Sequence, residues 1–224
     1  MLKDVLELYQ NRPDFFIQLT LEHIKICGIS IVIAFFIGSV LGIWISEYKR
    51  FSPFIIGITN IIYTIPSIAL LGFFIPISGI GNTTAIIALS IYGLLPIVRN
   101  TYTGLVSIDP AIIEAAKGMG STSGQILYKI KLPLALPIIL SGLKNMVVMT
   151  IALGGIASFI GAGGLGVAIF RGITINNLAM TVAGSLIIAL MALFFDFLIG
   201  SFEKQIYKKR RMKYEEKQTR DKRP

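Results

Sequence analysis

Residues 51–98 read FSPFIIGITNIIYTIPSIALLGFFIPISGIGNTTAIIALSIYGLLPIV, 48 residues without one Asp, Glu, Lys, Arg or His. A helix needs about 20 apolar residues to cross a hydrocarbon core of about 30 Å. The stretch is twice that length, so it predicts two spans with a turn between them. Pro76-Ile77-Ser78-Gly79-Ile80-Gly81-Asn82-Thr83 supplies the turn chemistry. Irregular backbone of this kind belongs outside the hydrocarbon, where water satisfies it.

Outward from this stretch the pattern repeats. Ile26–Ser46, Leu132–Leu143, Asn145–Phe170 and Gly172–Phe195 are also free of Asp, Glu, Lys and Arg. Five membrane helices follow, at about 24–46, 54–75, 83–106, 134–158 and 178–201. The fold class is therefore all-α, a polytopic membrane helix bundle. Of the 224 residues, 54% are hydrophobic and 15% charged, and the mean hydropathy is +0.75. A soluble domain of this size has too little interior for that much apolar surface. The composition excludes a soluble enzyme, a disordered chain and a disulfide scaffold. Gly38 and Gly42 form a small-xxx-small pair, read equally well as a helix contact or as two small residues.

The net charge is +9, but ten Lys/Arg and four Asp/Glu fall between Glu203 and Pro224, leaving +3 for the rest. A basic tail beside a span sets topology; anionic-lipid contact is a further role for it, and nucleic acid is not an expected partner. Lys49, Arg50, Arg99, Lys117, Lys129, Lys131 and the tail belong to one side, against Lys3, Arg12, Lys25 and Arg171 on the other. The positive-inside rule places the first set in the cytoplasm. The N-terminus and 159–176 are then expected outside, and 107–133 and the C-terminus inside. Asp4, Glu7, Asp14 and Glu22 do not fit a signal peptide, so the first span is expected to be retained. Cys27 is the single cysteine and His23 the single histidine; no cofactor, metal-ligand spacing or disulfide is expected.

The 107–133 loop reads as helix–turn–helix. Asp109-Pro110 is a helix start, and Ile112, Ile113 and Ala116 share an apolar face. Gly118, Gly120 and Gly124 break the helix; Ile126, Leu127 and Ile130 then mark a second short one, and Pro133 begins the next span. Such an amphipathic helix either docks into a partner's groove or lies on the headgroups.

Glu114-Ala115-Ala116, then Gly120, then nine residues, then Ile130-Lys131-Leu132-Pro133, resembles the EAA signature of ATP-binding-cassette (ABC) importer permeases. That pattern is E-A-A-x-x-x-G, nine spacers and I-x-L-P, and every specified position matches. The resemblance implies a type I, MetI-like permease fold over 19–200, between an extracytoplasmic segment, 1–18, and a basic cytoplasmic tail, 201–224. It implies that Glu114, Ala115, Ala116, Gly120, Ile130, Leu132 and Pro133 form the coupling segment that engages cytoplasmic ABC ATPase subunits. It further implies an extracytoplasmic substrate-binding protein and a second permease copy or paralogue in the bilayer. Residues Tyr63–Gly72, Leu95–Gly104 and Phe159–Gly166 look like stretches of the osmoprotectant subfamily, whose solutes are glycine betaine, carnitine and choline. Val167 departs from the acidic residue usual there. The function implied is translocation by alternating access. Another small substrate, such as an amino acid, and a self-sufficient carrier or channel stay open as alternatives.

No GxxxxGK[ST] loop is present, so the chain is expected to be a transport subunit and not an enzyme, with ATP hydrolysis on the separate partner. Gly161-x-Gly163-x-x-Gly166 matches a dinucleotide fingerprint only formally, because no βαβ unit surrounds it; a flexible outer turn is expected. His23 is expected as an interfacial polar residue. Phe35, Phe36, Phe73, Phe74, Phe194 and Phe195 read as core or lipid-facing, and the resemblance leaves high-affinity solute capture to the binding protein. Arg99 is near enough to a cytoplasmic end to snorkel. Lys144 and Asp196 are charges at membrane depth, about 15 Å and about 8 Å from the cytoplasmic side. They form either an intramembrane pair or two separate walls of a hydrated cavity.

Overall fold

The computed structural model describes residues 1–221, with side chains through 206. Most of the basic tail's side chains, and residues 222–224, lie outside the described residues. The described residues form helices α1 (Leu2–Asn11), α2 (Pro13–Glu47), α3 (Ser52–Thr64), α4 (Ser67–Ser78) and α5 (Asn82–Val106). These are followed by α6 (Pro110–Gly118), α7 (Ser123–Ile126), α8 (Leu132–Gly154), α9 (Gly166–Thr174) and α10 (Leu178–Asp221).

Four helical stretches are long and apolar enough to cross a membrane: Pro13–Glu47, Asn82–Val106, Ser123–Gly154 and Leu178–Ile206. The remaining apolar stretch is sharply bent. Where one helix over 54–75 is expected, α3 and α4 meet at 100°. The cause is local: Pro66 has no N–H to donate, and its ring drives Ile65 out of the helical region, to φ −67° and ψ 127°. The Tyr92 hydroxyl donates to the Ile65 carbonyl and fixes the corner. Pro76, Ile77 and Ser78 remain helical, so the turn to α5 is only Gly79–Gly81. The fourth span also ends earlier than expected, at Gly154, and a 3₁₀ turn covers Ile156–Ile160.

The second half of the 107–133 loop is not a separate helix. Gly124 lies inside α7, and a π turn over Leu127–Lys131 joins α7 to α8. The Leu132 N–H reaches back to the Leu127 carbonyl. This wider turn absorbs Pro133, whose missing N–H would otherwise leave a gap in the ladder.

The core is the α2–α5–α8 packing. A Cβ on Gly38 would lie 2.8 Å from Ile97 Cγ2, and one on Gly42 would lie 2.6 Å from Thr101 Cβ. A Cβ on Gly142 would lie 2.6 Å from Asn100 Cβ. Backbones can approach this closely only without side chains between them. His23 does not stand at the start of a helix: α2 begins at Pro13, eleven residues before the expected span. The ring is therefore buried, with Nε2 3.0 Å from the Ile151 carbonyl.

Candidate functional site

The cytoplasm-assigned loop is built from two local caps. At the start of α6, Asp109 Oδ1 accepts from the Ala111 N–H at 2.9 Å. At its end Gly120 takes φ +82°, the Gly120 N–H donates to the Lys117 carbonyl at 2.9 Å and the Ser121 N–H to Ala116 at 3.1 Å. This is a Schellman stop, with glycine where the left-handed residue must sit. The spacing E-A-A-x-x-x-G thereby has a physical meaning: its second alanine and its glycine are the two ends of that stop. Thr122 and Gln125 form a reciprocal capping box immediately after, through hydrogen bonds of 3.3 and 2.9 Å.

The caps orient α6 with one side down. Ala116 is buried and Ile113 half-buried, while Ile112, Glu114, Ala115 and Met119 are exposed. The expected apolar face is thus divided: Ala116 seats the helix, and Ile112 joins Glu114 and Ala115 on an uncovered surface. Ile130 and Leu132 are half-buried and Pro133 exposed, and Leu132 packs against the Leu105–Ala135–Ile139 cluster. Lys131 Nζ lies 2.6 Å from Glu47 Oε1, tying the loop to the end of α2. The seven motif residues therefore divide by position, with Glu114, Ala115 and Pro133 on the surface, Gly120 at the stop, and Ala116, Ile130 and Leu132 underneath.

Lys144 Nζ lies 3.1 Å from Asp196 Oδ1, joining α8 to α10. Two hydrogen bonds anchor the glycine turn before α9. Gly163 N–H donates to Asn82 Oδ1 at 2.8 Å, and Gly164 N–H to Glu22 Oε2 at 3.2 Å. The formal dinucleotide fingerprint lies here between a 3₁₀ turn and α9.

Sequence reasoning missed a cavity of about 360 Å³ beside the α3–α4 corner, lined by Tyr63, Pro96, Arg99, Asn100, Asn145 and Met149. Its signals were Pro66 within an apolar run, and Asn145 at the middle of a span.

Residues 32–211 match the family described as binding-protein-dependent transport system inner membrane component. The chain belongs to that family. This inner membrane component is 38% identical over 206 residues to the carnitine transport permease protein OpuCD of Listeria monocytogenes, covering 92% of each chain. It is 39% identical over 199 residues to the glycine betaine/carnitine/choline transport system permease protein OpuCD of Bacillus subtilis, covering 88% of this chain and 87% of that one. Its fold is similar to that of a chain of the MetNI methionine ABC transporter in an inward-facing conformation, with a TM-score of 0.79, 23% identity, and coverage of 86% and 96%. The chain is a multi-pass membrane transport subunit.

Proposed function

We propose that this chain is the permease subunit of an ABC importer for a compatible solute, namely glycine betaine, carnitine or choline. The observation that carries the reading is the exposed Ile112–Glu114–Ala115 surface of α6, presented by a Schellman stop. The likeness to the OpuCD permeases over about nine-tenths of the chain supports the solute class. ATP is bound and hydrolysed by cytoplasmic partners that receive α6 in a groove. An extracytoplasmic binding protein delivers solute to the outer side, and a second copy or paralogue completes the pathway. The charge distribution supports an N-terminus outside and α6 inside.

The geometry suits alternating access. A push on α6 reaches α8 through α7 and the π turn, one continuous helical path from Ser123 to Gly154. The ATPase and the loaded binding protein each bias one of two arrangements of the bundle.

The test is uptake of labelled glycine betaine, carnitine and choline by the complex reconstituted in proteoliposomes. ATP-dependent accumulation of at least one of them, requiring the binding protein, is expected. Accumulation of an amino acid and none of the three would refute the solute class, and uptake without the ATPase would refute the importer reading.

A further inference from the structure

The cavity beside the α3–α4 corner holds polar groups that the fold itself does not use. Among the described residues, the Arg99 guanidinium has no ion pair or hydrogen bond, and the Tyr63 hydroxyl and Asn145 side chain have no hydrogen-bond partner. Asn145 lies near the middle of α8, and Tyr63 at the end of α3, beside the bend. Tyr63 and Asn145 are both exposed in the single chain, and polar groups within a bilayer are costly unless they face a hydrated path or a ligand. Arg99 is exposed on α5 and lines the same cavity as Tyr63 and Asn145.

The two ends of this cavity have opposite electrostatic character. At one end α3 terminates, and the C-terminus of a helix carries about half a negative charge. The Tyr63 ring stands there, edge-to-face with Tyr92 at 6.2 Å between centroids. Pro96, inside α5, cannot donate to the Tyr92 carbonyl and frees it from the helix ladder. An aromatic face at the carbonyl end of α3, with no competing acid among the lining residues, suits a cation that cannot donate hydrogen bonds. At the other end stands Arg99, two turns along α5 from Tyr92, about 10 Å by the helical rise. It lines the same cavity as Tyr63. A guanidinium is the natural partner of a carboxylate.

We infer that this cavity is a solute subsite within the permease itself, in which Tyr63 and the carbonyl end of α3 take a quaternary ammonium while Arg99 takes the carboxylate of a zwitterion. The inference rests on the compatible-solute reading above. A volume of about 360 Å³ falls at the small end of ligand pockets, as suits a solute of that class. Cation–π contact with one exposed ring is weak, so a solute passing through would be held briefly and released. Capture from dilute solution remains the task of the binding protein.

The test uses the whole complex in proteoliposomes, with uptake of glycine betaine and carnitine, which carry a carboxylate, compared with choline, which does not. Arg99→Gln should lower uptake of both zwitterions about tenfold or more while choline changes by less than about threefold. Arg99→Lys should recover part of the loss. Tyr63→Leu should lower all three, and Tyr63→Phe should leave all three near wild type. ATPase stimulation by the loaded binding protein should persist in each, because α6 is untouched. Equal loss of the three solutes in Arg99→Gln, or no loss, overturns the subsite while leaving the importer reading intact. Wild-type uptake of choline but of neither zwitterion also overturns it. Wild-type uptake of none of the three overturns the solute class instead. If Arg99→Gln does not accumulate in the membrane, the Tyr63→Leu and Tyr63→Phe pair decides, and equal uptake by the two overturns the site.

Discussion

Removing both partners of the Lys144–Asp196 pair should cost less than the sum of removing each alone. The two groups stand 3.1 Å apart, with side chains 28% and 45% exposed. The pair is therefore neither a surface ion pair in bulk water nor a sealed one. At an effective dielectric of about 20, unit charges 4 Å apart attract by about 4 kcal/mol, most of which offsets desolvation. The larger effect is the charge left behind: a single Lys or Asp at a helix centre costs about 2.5–3.5 kcal/mol. Since both groups are partly exposed, we expect Asp196→Asn and Lys144→Met each to destabilise by about 2 kcal/mol, a factor of about 30 in the unfolding equilibrium. The double variant should also lose about 2 kcal/mol rather than the sum, a coupling of about 2 kcal/mol. The assay is reversible unfolding of the purified permease in mixed micelles, with uptake by the complex measured in parallel. The charge swap, Lys144→Asp with Asp196→Lys, should recover part of both. Losses that add to within about 0.5 kcal/mol across the cycle would refute the pair, leaving each charge separately hydrated.

Gly120→Val should leave the permease in the membrane but lower uptake about tenfold and weaken ATPase co-purification. A Cβ there meets nothing within 4 Å, so the cost comes from φ +82°, about 1–2 kcal/mol for a residue with a side chain; full uptake would remove the coupling role. In a Cys27→Ala background, an impermeant thiol reagent applied to intact cells should label Ile80→Cys and not Ser121→Cys, and the reverse would invert the topology. Tyr9 donates to the Ala183 carbonyl at 2.8 Å, so Tyr9→Phe should destabilise by about 1 kcal/mol. Burial raises the Tyr9 hydroxyl pKa above its usual 10.0; this stabilisation is complete below about pH 10 and declines as pH rises through the folded value. Unfolding of Tyr9→Phe should lack that alkaline component.

The spans were legible because hydrocarbon imposes one coarse rule, a long run without charge, and 51–98 satisfies it twice. That rule is blind to direction. Pro66 lies in a stretch as apolar as its surroundings, so length alone read 54–75 as straight, whereas the backbone chemistry of Ile65–Pro66 turns it through 100°. Pro133 misled in the opposite sense: a proline taken as a helix start is carried inside a continuous helix by the π turn before it. In the candidate site, the motif's positions were legible but their division was not. Which of Ile112, Ile113 and Ala116 faces inward is set by the tertiary packing of α6, which no local pattern records. Tyr63, Arg99 and Asn145 come from three helices, and their convergence is a property of the packing.

The glycine seams have a mechanical consequence. Where α2 lies on α5 at Gly42, and α5 on α8 at Gly142, the Thr101 and Asn100 side chains seat directly against bare glycine backbone. These three helices can tilt together but cannot slide past one another without steric collision. They act as a stiff lever, and hydrogen bonds from the glycine turn to Asn82 and Glu22 tie Gly163–Gly164 to α5 and α2. The bending such a lever needs must then fall at its edges, at the Ile65–Pro66 corner and where neighbouring helices rest on it. Enlarging a seam glycine would splay the lever, and a stroke delivered at one end would be absorbed before it reached the other.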